Sequence, residues 1–257
     1  MNGPVRRLSP TLVGSRLVQS TRRATAPERS EAADATLGIV LAFVAGGVNA
    51  GGFIAVGRYT SHMSGITSAM ADDLAVGAFG LALAGLGSVL TFVAGAALSA
   101  ILINFGRRQG RSSVYAVPIL VEAGLILLFG LIGFAFASAA NTAVAVALLC
   151  FVMGLQNATV TKISGARIRT THVTGIVTDI GIELGKLVYR NRAPDLPPVR
   201  ADRAKLLLLI ELLAGFFVGG VAGGLAFSRF GFAASLPFAV LLLALAGPRL
   251  ASSRPAP

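Results

Sequence analysis

Apolar residues run through this chain in long stretches, broken by short polar and basic segments. Between Asp34 and Arg58 lie 23 uncharged residues, between Asp73 and Arg107 lie 33, and between Glu122 and Lys162 lie 39. A helix crosses a hydrocarbon core of ~30 Å with about 20 predominantly apolar residues. The runs are continuous, whereas a membrane β-barrel would show alternating segments of about ten residues. The pattern therefore predicts six helical spans, at about 36–57, 78–104, 114–137, 142–163, 205–227 and 231–248.

Composition agrees with that pattern. Hydrophobic residues make up 54% and charged residues 13% of the 257 positions, with a mean hydropathy of +0.78. A soluble globular domain carries roughly 25% charged residues, so an ordinary water-soluble fold is excluded. The net charge of +11 would suit a nucleic-acid binder. Most of the basic residues sit beside apolar runs, however, which points to lipid headgroups and topology and away from nucleic acid. With the first span leaving the cytosol, twenty Lys and Arg fall on the cytosolic side and only Arg58 and Arg229 fall outside. That bias supports both termini in the cytoplasm. Residues 1–35 carry six arginines without an apolar signal core and read as a disordered, basic cytosolic arm; residues 249–257 read as a cytosolic tail. Cys150, the single cysteine, has no partner for an internal disulfide.

One polar string occurs twice. The first copy runs Gly46, Asn49-Ala50, Gly57, then Thr60-Ser61-His62-Met63-Ser64-Gly65-Ile66. The second runs Gly154, Asn157-Ala158, Gly165, then Thr170-Thr171-His172-Val173-Thr174-Gly175-Ile176, with a two-residue insertion before the hydroxyl-histidine core. Further on, Asp73-Leu74 matches Glu183-Leu184, Ala94-Gly95 matches Ala214-Gly215, and Pro118 roughly matches Pro237. Each copy thus heads three spans, at residues 36–140 and 141–248. Three is odd, so the second copy enters the membrane upside down. The expected architecture is an all-α membrane protein with six transmembrane helices in a 3+3 inverted-topology repeat.

A single helix from Ser64 to Asn104 would be about 60 Å long, twice the hydrocarbon core, so the segment must break. A short or re-entrant helix after each His motif follows, over about Ile66–Ala75 and Ile176–Val188. Ile176, Ile180, Leu184 and Leu187 share one face of the second, opposite Asp179, Glu183 and Lys186. Ser64 and Thr174 stand where a hydroxyl can cap the helix start. Irregular backbone at membrane depth is tolerated where it lines a wet cavity. The substrate-binding candidates are accordingly Asn49, Thr60, Ser61, His62 and Ser64 in the first half, and Asn157, Thr170, Thr171, His172 and Thr174 in the second. Together they would meet a small polar or anionic solute between the repeats. Histidine titrates near neutrality, which adds proton coupling to what these motifs can do.

Two carboxylates join the list. Glu122 sits about eight residues into the third span, and an intramembrane acid is a functional candidate by default. Asp179 faces cytosol or cavity on the second short helix; both are candidates for proton coupling. Glu211, a turn inside its span, is placed to snorkel to Arg203 and Lys205. Nothing in the pattern calls for a cofactor, and no Cys or carboxylate cluster supports a metal at His62 or His172.

The strings Asn49-Ala50…Gly57…Thr60-Ser61-His62-Met63-Ser64-Gly65 and Gly154-Leu155-Gln156-Asn157-Ala158…Arg169-Thr170-Thr171-His172-Val173-Thr174-Gly175…Thr178-Asp179 resemble the YoaK-type family of bacterial membrane proteins, over roughly residues 36–247. The first copy departs mildly, with Ser64 where threonine is expected. The resemblance implies a bacterial inner-membrane location and carries no established substrate. The favoured function is a transporter or channel with its polar site between the repeats. A membrane scaffold or sensor acting through the basic arm is the alternative. An intramembrane enzyme is disfavoured, because no orienting carboxylate stands at motif spacing and no nucleophile-elbow signature is present.

Overall fold

The computed structural model describes residues 31–111, 113–133, 139–165, 168–192 and 197–250. Most of the basic arm and all of segment 251–257 lie outside the described residues, as do 134–137 of the third expected span and the two-residue insertion at 166–167. Among the described residues every regular element is helical: α1 (Glu31–Val56), α2 (Met63–Ala75), α3 (Phe79–Arg108), α4 (Ala116–Ile132), α5 (Ala139–Ile163), α6 (Val173–Val188), α7 (Arg203–Phe230), a 3-10 turn (Gly231–Ser235) and α8 (Leu236–Leu250). Residues 31–35, read as part of the arm, form the first turns of α1.

Four stretches are long and apolar enough to cross a membrane: 34–56, 79–108, 142–163 and 203–246, the last containing α7, the 3-10 turn and α8. Residues 116–131 form a shorter apolar helix. The protein is a multi-pass helical membrane protein. Its outer surface agrees, since Leu83, Phe217, Phe79 and Leu131 are all more than half exposed while Glu122, Gln156, Thr60 and Thr170 are fully buried. Lipid tails solvate leucine as well as another leucine does, so the polar groups turn inward.

With no hydrophobic drive between helices in lipid, backbone proximity decides how they pack. Two crossings dominate. In the first, a Cβ on Gly46 of α1 would fall on the Phe216 carbonyl of α7, one on Gly219 would fall on the Phe43 carbonyl, and one on Gly223 would fall on the Gly47 carbonyl. In the second, Gly95 of α3 meets the Phe151 carbonyl of α5 in the same way, and Gly154 meets that of Phe92. Only glycine permits either approach. A 2.8 Å hydrogen bond between Ser99 and Thr159 extends the α3–α5 seam.

The contacts also fix directions. Phe43 with Gly219, Gly47 with Gly223 and Gly51 with Phe227 advance together, so α1 and α7 run parallel. Phe92 with Gly154 and Ser99 with Thr159 make α3 and α5 parallel as well. The helices that carry the two motif copies are opposed. The Gln156 amide of α5 donates to the Leu41 carbonyl of α1 at 3.2 Å, whereas Gly52 lies against Leu149. As α1 advances, α5 recedes. These partners also pair Gly95 with Gly219, one helical turn beyond the Gly215 that sequence matching suggests. The segment joining α6 to α7 is longer than its counterpart, and Ala/Gly/Leu sequence aligns equally well a turn away.

α2 and α6 are the two short helices. Gly77, at φ 77°, breaks the chain between α2 and α3, which answers the length argument against one long helix. α6 packs on α7 with Ile176 and Glu183 buried and with Leu184 and Leu187 exposed. Ile176 and Ile180 of the apolar face therefore turn to the protein, while Leu184 and Leu187 of the same face turn outward.

Gly154→Ala should destabilise the bundle by about 1–3 kcal/mol or more, since the Phe92 carbonyl belongs to a rigid helix and has nowhere to retreat. Gly124→Ala, with no atom within 4 Å of its added carbon, should be neutral or slightly stabilising. Thermal melts of the detergent-solubilised protein compare the two. Equal behaviour would refute the glycine-seam account.

Candidate functional site

Each motif copy is a loop folded back onto its own helix. α1 and α5 run out into Gly57 and Gly165, whose φ values of 70° and 58° lie in the left-handed region that favours glycine. Eight residues earlier, about 12 Å along the axis, stand Asn49 and Asn157. Asn49 Oδ1 accepts from the Ser61 backbone N–H at 3.3 Å and from the Ser61 hydroxyl at 2.9 Å. Asn157 Oδ1 accepts from the Thr171 hydroxyl at 2.7 Å, and its amide donates to the Met153 carbonyl at 2.8 Å. The asparagines thus staple the returning loop to the helix. Between staple and turn, Thr60 and Thr170 are fully buried, and neither hydroxyl has a hydrogen-bond partner.

His62 and His172 begin the short helices. Their carbonyls accept from Ile66 at 3.0 Å and from Ile176 at 3.1 Å, and neither imidazole caps the helix. The capping role expected of Ser64 and Thr174 is not filled, because both lie one residue inside the helix and a cap must precede it. Both histidines are exposed, but their neighbours differ. His62 stacks on Tyr59 (centroids 5.1 Å, 25°), which stacks in turn on Phe53 at 4.5 Å. His172 Nδ1 lies 3.4 Å from the Arg169 guanidinium, and its ring covers the place where a Cβ of Gly175 would stand. A guanidinium only donates, so only an imidazole with an unprotonated Nδ1 can accept this contact.

Two pockets result. One of about 460 Å³ is lined by residues that include Arg169, His172, Thr174, Thr178 and Asp179. The other, of about 260 Å³, is lined by residues that include Phe53, Arg58, Tyr59, His62 and Asp73. Among the described residues the two share no lining residue, and each pocket is assembled with its own short helix. Of the residues singled out from the sequence, His62, His172, Thr174 and Asp179 line pockets. Asn49, Ser61, Asn157 and Thr171 build the loops, Thr60 and Thr170 are sealed inside them, and Ser64 lines neither. Arg169 and Tyr59 were missed, although both stand three residues before their histidine. Among the described residues no three His, Cys, Asp or Glu side chains come together as a metal site would require.

Glu122 is fully buried in α4, where Gln156 donates to its Oε1 at 2.8 Å and bridges to Leu41 of α1. Its Oε2 and Gln156 Oε1 have no partner. Glu183, which the sequence places on a solvated face, is 1% exposed. It accepts from Lys186 at 2.9 Å and from the Asp202 N–H at 2.9 Å, fastening α6 to the start of α7. Lys205 lies 3.3 Å from Asp179 and 3.9 Å from Glu183, so it turns to α6 and not to Glu211. α2 has no buried residue to match this anchor.

The hydrogen bond from Lys186, followed by that from the Asp202 backbone, holds the Glu183 carboxyl below the usual glutamate value. A depressed carboxylate stabilises the fold above its unfolded value of about 4.3, and that contribution is lost as pH falls through the folded value. Acid melts should therefore show a steeper loss of stability for the native protein than for Glu183→Gln; equal slopes would contradict the anchor. Asn49→Ala and Asn157→Ala should each cost about 1–3 kcal/mol by orphaning a loop donor. Amide hydrogen exchange should then rise in the adjoining loop alone.

No curated protein and no solved structure matches the chain. Residues 37–247 match the family described as "Protein of unknown function (DUF1275)". That stretch holds both histidine loops, both pockets and both glycine seams, and the chain is a member of this family.

Proposed function

We propose that the chain is a transport protein for a small polar or anionic solute, built as six spans in a 3+3 inverted repeat and without enzymatic activity. On this reading it lies in the bacterial inner membrane with both termini cytoplasmic, as a YoaK-type protein. The observation that carries the reading is the opposed pair α1 and α5. Each bears the same asparagine-stapled loop, the same left-handed glycine and a pocket at its histidine.

Inverted repeats suit transport because exchanging the conformations of two like halves exchanges the side from which a site is reached. The halves here differ in the way such an exchange requires. α6 is anchored by Glu183 beside the larger pocket, and α2 is unanchored beside the smaller. Solute passes between the two pockets and does not rest at one shared centre. The path crosses the α1–α5 contact, beside which Gln156 of α5 and Glu122 of α4 are buried. Glu122 and Asp179 are the carboxylates proposed to couple protons to that passage. The bilayer is the obligatory partner, and no nucleic acid is involved.

Vesicles containing the purified protein should swell in small polar solutes or salts of small anions faster than protein-free vesicles. Joint His62→Ala and His172→Ala replacement, at equal protein content, should bring swelling close to the empty-vesicle rate. Unchanged swelling in the double variant would overturn the assignment of the histidine pockets.

A further inference from the structure

We infer that the larger pocket is an oxyanion site, in which Arg169 and His172 grip a carboxylate- or phosphate-type group and take up a proton with it. This deepens the transport reading by naming what the second half recognises.

The inference begins from a difference between equivalent positions. Three residues before the histidine, the first half has Tyr59 and the second has Arg169. Tyr59 gives His62 an aromatic face, whereas Arg169 gives His172 a guanidinium at 3.4 Å. Arginine presents a planar fork of donors that matches carboxylate and phosphate oxygens. In the same cavity Asp179 would oppose an anion, but Lys205 lies 3.3 Å from its carboxylate and answers that charge. Among the described residues no carboxylate lies within ion-pair distance of Arg169. The pocket therefore presents a cation to which no described residue supplies the counter-charge.

Local backbone adds to the fit. The imidazole lies over Gly175 in the first turn of α6, where helix N–H groups lack intrahelical acceptors. Glycine there keeps both ring and backbone open to the cavity, and Thr174 adds a hydroxyl on the same wall.

Proton uptake follows from the hydrogen bond. Nδ1 accepts from Arg169 only while unprotonated. A proton at that nitrogen turns the contact into two cations side by side, which an oxyanion placed between them relieves. Anion and proton thus favour each other's binding. Asp179 is the carboxylate that shares this pocket with the histidine, and the further charged groups on the two packed helices are Glu183 and Lys186 on α6 and Arg203, Lys205 and Glu211 on α7. Glu183 and Lys186 are paired with each other, and Lys205 is turned to Asp179.

The test is calorimetric titration of the full-length protein in uncharged detergent with acetate, inorganic phosphate and chloride, and separately with short-chain phosphatidic acid. The expected result is one saturable site for an oxyanion, about tenfold tighter at pH ~6 than at pH ~8. Arg169→Tyr should weaken it by about tenfold or more, and His172→Gln should remove the pH dependence of acetate binding, since acetate keeps one charge across that range. Gly124→Ala, outside both pockets, should leave binding unchanged. Binding of free oxyanions identifies a soluble solute, and binding of phosphatidic acid alone identifies a lipid headgroup; both uphold the site. Absence of binding by either, or undiminished binding by an Arg169→Tyr protein with a normal melt, would overturn it. Vesicles that still swell in neutral solutes would show that only the anion assignment had failed, whereas absence of swelling in any solute would sink the transport reading itself.

Discussion

The close approach of helix backbones at Gly46, Gly219, Gly95 and Gly154 is the constraint on which the rest of this molecule depends. In water, burial of leucine would hold such helices together; in lipid that drive is absent, and contact between backbones takes its place. The seams join α1 to α7 and α3 to α5, so residues 36–140 and 141–248 each lend their second large helix to the first helix of the other stretch. Neither half can then form its seam alone. The exchange also holds α1 and α5 in opposition, with Gln156 reaching from one to the Leu41 carbonyl of the other.

From that scaffold the loops follow. A helix that ends on a left-handed glycine can turn its chain back along its own side, and an asparagine two turns earlier supplies the acceptor that keeps it there. What the loops then present is set by single residues. The same frame carries a Phe53–Tyr59–His62 stack in one half and an Arg169–His172 pair in the other. The short helices diverge likewise, α6 being tied to α7 through Glu183 while α2 rests on α3 without a buried residue.

Much of this was legible in the sequence. The apolar runs placed the large helices to within several residues, the length limit demanded a break near Gly77, and the paired strings located both loops. The seams were not legible, because 31 glycines offer too many ways to pair helices, and the match of Gly95 fell one turn short. Glu183 was misread because an acid on an amphipathic helix reads as solvated; here it shares the protein-facing side of α6 with the buried Ile176, and Lys186 and the Asp202 N–H answer its charge. Asn49 and Asn157 were found for their polarity and proved to be staples. Arg169 stood in the repeated string, but the identity of the strings drew the eye to what the copies share, and its effect comes from what they do not.

The central claim is that the two loops open to opposite faces of the membrane, and impermeant-thiol labelling tests it most directly. In a Cys150→Ala background, Arg58→Cys and Arg169→Cys each place a single cysteine at an exposed, pocket-lining position. The account predicts that an impermeant maleimide modifies Arg58→Cys from outside the cell and Arg169→Cys only from the cytoplasmic side. Modification of both from the same side would contradict it.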